Sequence, residues 1–307
     1  MQVLITGASG FLGRHLSRRL ISEGHEVTPL SSKDCDLTSQ GSLEKRLAGQ
    51  RFDQIFHLAS WSRAGAFCRE HPGSQIIVNQ RIDVNALDYW RKEQPQAKMV
   101  AMGSSVAYDP RLPLKEGYYL EGEPIADYLG YGHSKKMLYA ALKGLNREFG
   151  LDFMCFVPST LYGPDYHTDE RPMHFIYDLM RKIIRAKKKG EEVVLWGDGS
   201  QEREIVHVND FIEIMLRINS GHKNELVNIG SGKSRQIKDF ARMICDAVSY
   251  DFTQIKYDTT KPTGAKSKYF DLTKMQTMCP DFKERDMAQG IQETIDWMLK
   301  HPEVYER

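Results

Sequence analysis

Three glycines at a spacing of three, Gly7, Gly10 and Gly13, follow directly on the first apolar run of the chain, Gln2–Thr6. A strand that must turn sharply, bring its backbone close to a ligand and seat a helix against itself favours a missing side chain at each task. The helix that opens there presents unpaired N–H groups and the positive end of its dipole, which suits a pyrophosphate. The loop expected to hold it comprises Gly7, Ser9, Gly10, Phe11, Leu12 and Gly13, with Arg14 just beyond. The runs Glu26–Leu30, Gln54–Leu58, Lys98–Met102 and Phe153–Val157 are rich in Val, Ile, Phe and Met and read as buried strands separated by amphipathic helical stretches. Strand–helix alternation predicts an α/β fold with a doubly wound parallel sheet over residues 1–157.

After Pro158 the pattern changes. Helical stretches at Met173–Lys188, Asn209–Asn219, Gln236–Val248 and Met287–Lys300 are interspersed with short strands at Val193–Trp196, Glu204–Val206, Leu226–Ile229 and Gln254–Tyr257. This predicts a smaller α/β lobe made mainly of residues 158–307, with room for the chain to cross back. Charge excludes several functions: 42 basic residues balance 41 acidic ones in 307. That is no general nucleic-acid or anionic-membrane binder. No run approaches the ~18 apolar residues of a membrane span, and the N-terminus does not read as a signal peptide. Five scattered cysteines form no CxxC pair, so neither a metal site nor a disulfide framework is expected and a reducing cytoplasm fits.

The second strand ends without an acid, in Leu30-Ser31-Ser32-Lys33. An acid there would take a ribose 2′-OH and mark NAD. Hydroxyls and a cation, Ser32 and Lys33 with Arg14, suit a 2′-phosphate, so NADP is the expected cofactor. NAD is the alternative, since a loop one residue shorter would bring Asp34 or Asp36 into play. Further on, Tyr131 and Lys135 stand four residues apart, on one face of a helix, and Ser104-Ser105 ends the fourth strand, where a doubly wound sheet places its ligand crevice. A phenol that exchanges a proton with a sugar oxygen is assisted by a neighbouring ammonium, which favours the phenolate. A serine hydroxyl beside it can bind the reacting oxygen.

Together, ITGASGFLGRHL and the Tyr131-Gly-His-Ser-Lys135 run resemble the extended branch of the short-chain dehydrogenase/reductases, which are Rossmann-type enzymes. The resemblance places Phe56-His57-Leu58-Ala59 beside the nicotinamide ribose, with Leu58 and Ala59 in contact, and Asn79 near the active site. It also assigns Asp36, Leu37 and Pro158 to the cofactor, and lets Lys135 hold the nicotinamide ribose. In that branch the serine lies four residues before the tyrosine of a segment like Ser104…Tyr108, which makes Ser104 catalytic and Ser105 the fallback on the substrate side.

The second half resembles the GDP-L-fucose synthase family, GDP-4-keto-6-deoxymannose epimerase/reductases, in patches from about Gly103 to Lys300. Pro158-Ser-Thr160-Leu-Tyr162-Gly163-Pro164 is similar to its PxNxYGP segment. Trp196 through Arg203 to Asp210 is similar to GxGxxxRxxxxVxD, and Lys261 through Lys268 to Asp271 to KPDGxxRKxxD. The resemblance implies that His174 is an epimerisation acid and that Thr160, Lys182, Trp196, Arg203, Lys261 and Lys268 contact substrate. A planar guanidinium such as Arg203 suits a diphosphate; an ion pair with Glu202 or Asp210 is the structural alternative. The family also uses a cysteine two residues after the serine, where this chain has Val106, and an asparagine where it has Thr160. Valine moves no proton, so double epimerisation is not expected, while hydride transfer at C4 is. Val106-Ala107 also lacks the carboxylate that a 4,6-dehydratase needs. The expected function is NADPH-dependent reduction of a GDP-4-keto sugar by a homodimer formed through two helices per subunit. An NAD-dependent nucleotide-sugar 4-epimerase or 4-dehydrogenase is the alternative within the class, and a non-catalytic nucleotide sensor the alternative outside it.

Overall fold

The computed structural model describes residues 1–62, 66–169, 171–261, 267 and 269–306. At its centre lies strand β1 (Gln2–Thr6), paired in parallel with β2 (Glu26–Leu30) on one side and β3 (Gln54–His57) on the other. The sheet continues through β4 (Lys98–Met102) and β5 (Phe153–Pro158) to the strand Glu225–Ile229, all parallel. Val3, Leu4, Ile5, Val100, Ala101, Phe156 and Val157 are fully buried. Helices cover both faces of a parallel sheet, which is why its strands read as unbroken apolar runs. β2 is the exception. As an edge strand it is mostly accessible and tolerates Pro29, whose missing N–H costs nothing at an edge.

The expected strands form within a residue or two of their predicted limits. Leu226–Ile229 forms as well, extended by Glu225, and supplies the sixth strand of the central sheet, with Leu226 beside Cys155. The segment expected as one strand at Glu204–Val206 instead gives two short pairings, Glu202–Arg203 and Ile205–His207. Gln254 closes a 3₁₀ turn, so its strand begins at Lys256.

The chain divides into two compact units. The first comprises Met1–Pro158, Ile212–Ile229 and Asp271–Pro280; the second comprises Ser159–Phe211, Gly230–Phe270 and Asp281–Arg307. Within the first, β1 connects to β2 on one side and the chain then crosses to β3 on the other. The point past the ends of β1 and β3 is therefore a topological switch point, where such sheets form their ligand crevice. The long helices Pro72–Glu93 and Leu129–Phe149 pack against each other. The second unit carries three two-stranded ladders: Thr160–Tyr162 with Ile205–His207, Val194–Trp196 with Lys256–Asp258, and Glu202–Arg203 with Arg235–Gln236. Its helices include Phe175–Lys189, Ile237–Val248 and Met287–Lys300. Among the described residues no helix is long and apolar enough to cross a membrane.

Candidate active site

The glycine loop is shaped by close backbone approaches. Gly7 has φ +71°, and a Cβ on it would lie 2.7 Å from the Ala59 nitrogen and 2.8 Å from the Leu58 carbonyl carbon. A Cβ on Gly13 would lie 2.3 Å from the Gly7 oxygen. The first glycine thus lets β1 turn against the end of β3, and the third lets helix α1 (Phe11–Ser22) sit on the loop. Gly10 caps α1 without a side-chain hydrogen bond, and the first turn holds no acid. The N-terminal end of a helix, with the positive end of its dipole, suits an anion. Ser9 and Gly10 are exposed, while Phe11, Leu12 and Arg14 are half-buried. An Arg14 Nη donates to the Ser9 carbonyl, 2.5 Å away.

Beyond β2 the loop folds on itself. Asp34 Oδ2 accepts both the Ser31 N–H at 2.8 Å and the Ser31 hydroxyl at 2.6 Å, and the Lys33 N–H donates to Ser31 Oγ at 3.2 Å. Asp36 closes the next turn, accepting from the Thr38 hydroxyl at 2.7 Å and the Thr38 N–H at 2.9 Å. These hydrogen bonds hold both carboxyls below the ordinary aspartate value. The two acids left open by the sequence are therefore committed to their own turns, while Ser32 and Lys33 stay exposed. Leu37 is buried, and its carbonyl accepts from Asn85 Nδ2 at 2.8 Å.

Ser104, Tyr131 and Lys135 all belong to the first unit. Ser104 follows β4 and caps a single 3₁₀ turn, Ser105–Ala107, its Oγ accepting from the Val106 N–H at 3.4 Å. The Ser104 N–H donates to the Tyr119 hydroxyl at 3.0 Å. Tyr119 is fully buried, edge-on to Tyr108 and Tyr139. Tyr131 and Lys135 lie near the start of helix Leu129–Phe149, with the ammonium 5.6 Å from the phenol ring centroid. Lys135 is 3% exposed. Burial alone would pull its ammonium down, but the fields of Tyr131, Asp83 and Cys155 outweigh it and leave the pKa above the ordinary lysine value. Ser105 and Val106 are half-buried, and Pro158 is the last residue of β5. All five cysteines are free thiols buried in the protein.

Sequence reasoning named His57 but missed its two buried polar partners, Thr6 and Asp83. Thr6 Oγ1 meets His57 Nδ1 at 2.9 Å, and His57 Nε2 meets Asp83 Oδ1 at 3.0 Å. Tyr119 was missed too. A histidine at the buried end of a strand was the one available signal, for such a ring needs a polar partner. Asn79, by contrast, braces a loop: its Oδ1 accepts from the Trp61 N–H at 2.8 Å and the Ser60 hydroxyl at 3.0 Å.

In the second unit, His174 caps helix Phe175–Lys189. Its ring is reachable by solvent, yet the protein around it is dense enough that desolvation draws the imidazole below its ordinary value. Lys182 pairs with Asp178 at 2.9 Å. Trp196 stands 57% exposed at the end of its ladder, Thr160 is half-buried in another, and Lys261 is exposed. Half-buried Arg203 donates to the Glu202 carbonyl at 2.7 Å. Asp210 accepts the Arg285 N–H at 3.0 Å, and Glu202 Oε2 accepts the Ser267 hydroxyl at 2.9 Å. Buried Glu204, unremarked in the sequence, takes the N–H groups of Gly232 and Phe270 at 2.8 and 3.0 Å and so ties two loops together. Lys268 lies outside the described residues.

The chain is similar to several known proteins over nearly its whole length. GDP-L-fucose synthase 1 of Arabidopsis thaliana is 28% identical over 98% of this chain and 94% of its own. GDP-L-colitose synthase of Yersinia pseudotuberculosis is 28% identical over 97% and 98%. Among solved structures, a GDP-L-fucose synthetase from Naegleria fowleri superposes with a TM-score of 0.88, at 22% identity over 100% of this chain and 95% of that one. A GDP-mannoheptose C4 reductase from Campylobacter jejuni with NADP bound gives 0.86, at 21% identity over 97% and 98%. The profile of the NAD dependent epimerase/dehydratase family matches residues 3–230, and the chain belongs to that family of NAD(P)-dependent enzymes.

Proposed function

We propose that this chain is an NADPH-dependent C4 ketoreductase of a GDP-linked 4-keto sugar, of the 6-deoxy kind. The observation that carries the reading is the buried, charged Lys135 next to Tyr131 on the helix whose unit also holds the glycine loop and Ser104. The pyrophosphate would lie at the N-terminus of helix α1, with Leu58 and Ala59 walling the nicotinamide side. Ser32, Lys33 and Arg14 would hold a 2′-phosphate, since Asp34 is turned into its own loop and offers no free bidentate acceptor for ribose hydroxyls. Bound NADPH supplies the hydride for C4.

The protein handles the proton. Ser104 Oγ–H orients the C4 oxygen, and Tyr131 donates the proton that this oxygen needs as negative charge develops there. The Lys135 ammonium stabilises the phenolate left behind and holds the ribose hydroxyls. In the second unit, Arg203 and Lys182 would grip the diphosphate and Trp196 would cover the nucleotide. The GDP moiety is inferred from relatives named for GDP-sugars. Val106 at the position of the family's cysteine, with every thiol buried, favours reduction without double epimerisation. Ile77 and Val84, seven residues apart on one helix and each 56% exposed, with Met137 at 50% on the next, offer an apolar face for the homodimer. Free thiols throughout suit a cytoplasmic enzyme.

The test is NADPH oxidation with GDP-4-keto-6-deoxymannose in D2O. The expected product is reduced at C4 and carries no deuterium at C3 or C5. Stoichiometric NAD(H) retained through purification, with no net NADPH consumption, would instead establish an internally recycling epimerase.

A further inference from the structure

Residues 119–125, in the loop that joins β4 to the helix Leu129–Phe149, touch both the turn that carries Ser104 and the helix that carries Tyr131. At one end the Tyr119 hydroxyl accepts the Ser104 N–H at 3.0 Å; at the other the Ile125 N–H donates to the Val106 carbonyl at 3.2 Å. Between them the Glu123 N–H donates to Oδ2 of Asp109, just past the same turn, at 3.1 Å. One short stretch of chain thus grips the serine turn at Ser104, Val106 and Asp109.

The middle of that stretch is held from the helix. Lys136 is 7% exposed, and its Nζ donates to the Glu121 carbonyl at 2.6 Å and the Gly122 carbonyl at 2.7 Å. A buried ammonium is costly unless its donors are taken, and charge-assisted bonds of this length are the strong kind. Both acceptors are backbone atoms, so the bonds tie the loop itself to the helix. Gly132, one helical turn before Lys136 on the same face, completes the contact. A Cβ there would lie 2.5 Å from Pro124 Cβ and 3.1 Å from the Val106 carbonyl oxygen. Tyr131 and Lys135 each precede these two by one position. The helix therefore carries its proposed catalytic pair and this clamp side by side.

We infer that Lys136 is a positioning residue: by clamping residues 121–122 to the helix of Tyr131, it fixes where the Ser104 turn stands relative to the phenol. Ser104 and Tyr131 come from a strand end and a helix, and acting together requires both oxygens to stay within reach of one substrate oxygen. The loop held by Lys136 is the piece of chain that spans the two. The inference rests on the reading of Ser104 and Tyr131 as the pair that handles the proton, and it is independent of which sugar is bound.

The test is steady-state NADPH oxidation with GDP-4-keto-6-deoxymannose, beside NADPH titration and thermal unfolding, for the parent, Lys136→Met and Lys136→Arg. Methionine keeps the apolar stem and removes the donors; arginine restores donors and charge. K136M is expected to lose about ten- to a hundredfold in kcat, the scale of a misplaced catalytic group, with KM and the NADPH dissociation constant within about twofold of the parent. K136R should recover most of the lost kcat. A kcat equal to the parent's, measured well below the Tm of K136M, overturns the inference. So does a kcat loss matched by an equal loss of NADPH affinity, the mark of general damage, or a K136R no more active than K136M. Should K136M not fold, hydrogen exchange in the parent decides. The Glu123 and Ile125 amides are expected to exchange together with that of Ser104, as one cooperative unit, and exchange of either well ahead of Ser104 overturns the inference. A parent that reduces no 4-keto sugar refutes the proposed function instead, and the same exchange pattern then decides whether the clamp holds.

Discussion

Replacing Tyr119 by phenylalanine removes one oxygen from a ring that is otherwise wholly buried, and that oxygen is the acceptor for the Ser104 N–H at 3.0 Å. Phenylalanine keeps the edge-on contacts with Tyr108 and Tyr139, so the core shape survives. What is lost is the partner of a backbone donor at the end of β4, where a Cβ on Gly103 would already lie 2.8 Å from that hydroxyl. A buried donor left unsatisfied costs about 1–3 kcal/mol. For a domain of this size that corresponds to a Tm lower by about 2–12 °C. The catalytic consequence is separate. With its amide no longer tethered, Ser104 Oγ samples positions away from the reacting oxygen, and kcat should fall about tenfold, or about 1.4 kcal/mol of transition-state stabilisation. The glycine loop and Lys135 are untouched, so the NADPH dissociation constant should stay within about twofold. Thermal unfolding, steady-state NADPH oxidation and fluorescence titration on one preparation separate the effects. A lowered Tm with unchanged kcat, measured well below that Tm, refutes the claim that Tyr119 positions Ser104.

Tyr131→Phe removes the proton donor and should lower kcat by about 10²–10⁴ while NADPH still binds, as kinetics and titration together would show. Lys33→Ala should weaken NADPH by about tenfold and leave NADH nearly unchanged, the signature of a lost phosphate contact; equal weakening of both would remove Lys33 from the 2′-phosphate site. Gly13→Ala forces a methyl to 2.3 Å from the Gly7 oxygen, so dinucleotide binding should be abolished and stability lowered by about 1–3 kcal/mol, read by denaturant unfolding. His174 is held below its ordinary value by desolvation, so the unfolded chain binds the extra proton first. That residue should therefore cost stability as pH falls below about 6.5 and none above it, and His174→Gln should flatten the acid side of the Tm–pH curve.

Those residues differ in how plainly the sequence announces them. The glycine spacing, the apolar strands and the Tyr131–Lys135 pair are local patterns, each set by a turn, a pleat or one helical turn, and local patterns are readable from a single chain. The placement of Glu225–Ile229 in the central sheet is not local, because a parallel strand finds its neighbour only through tertiary pairing with β5. The cofactor loop shows the same limit at finer scale. Ser31, Lys33, Asp34 and Asp36 are all visible in the sequence, but which acid is spent on its own turn depends on backbone hydrogen bonds. Asp83 is harder still. It sits in a helix among Arg81, Asn85 and Asp88 as one polar residue of many, and only burial against His57 sets it apart.

Hydride transfer and epimerisation make different demands, and the proposed reading has this chain meet them unequally. Reduction at C4 needs a hydride source, one proton donor and a fixed charge to steady it; in the proposed reading Ser104, Tyr131 and Lys135, all in one unit, would supply the last two. Epimerisation beside the carbonyl needs a second acid–base pair able to remove a proton from one face of the sugar and return it on the other. A solvent-reachable His174 with a lowered pKa is well suited to accept a proton only after giving up its own, so at neutral pH it is poised as a base. The complementary acid is missing at Val106, where the resemblance to GDP-L-fucose synthases would put a cysteine, because valine cannot titrate. If His174 still works on the sugar, it can exchange a proton at one carbon through solvent but has no fixed partner to enforce inversion. In D2O that leaves a specific trace: slow deuterium uptake at a single carbon of the 4-keto substrate, abolished by His174→Gln, while NADPH-dependent reduction proceeds unlabelled at the others. Uptake at both C3 and C5 at the rate of reduction would mean that another group does the work assigned to the cysteine, and would overturn the argument from Val106.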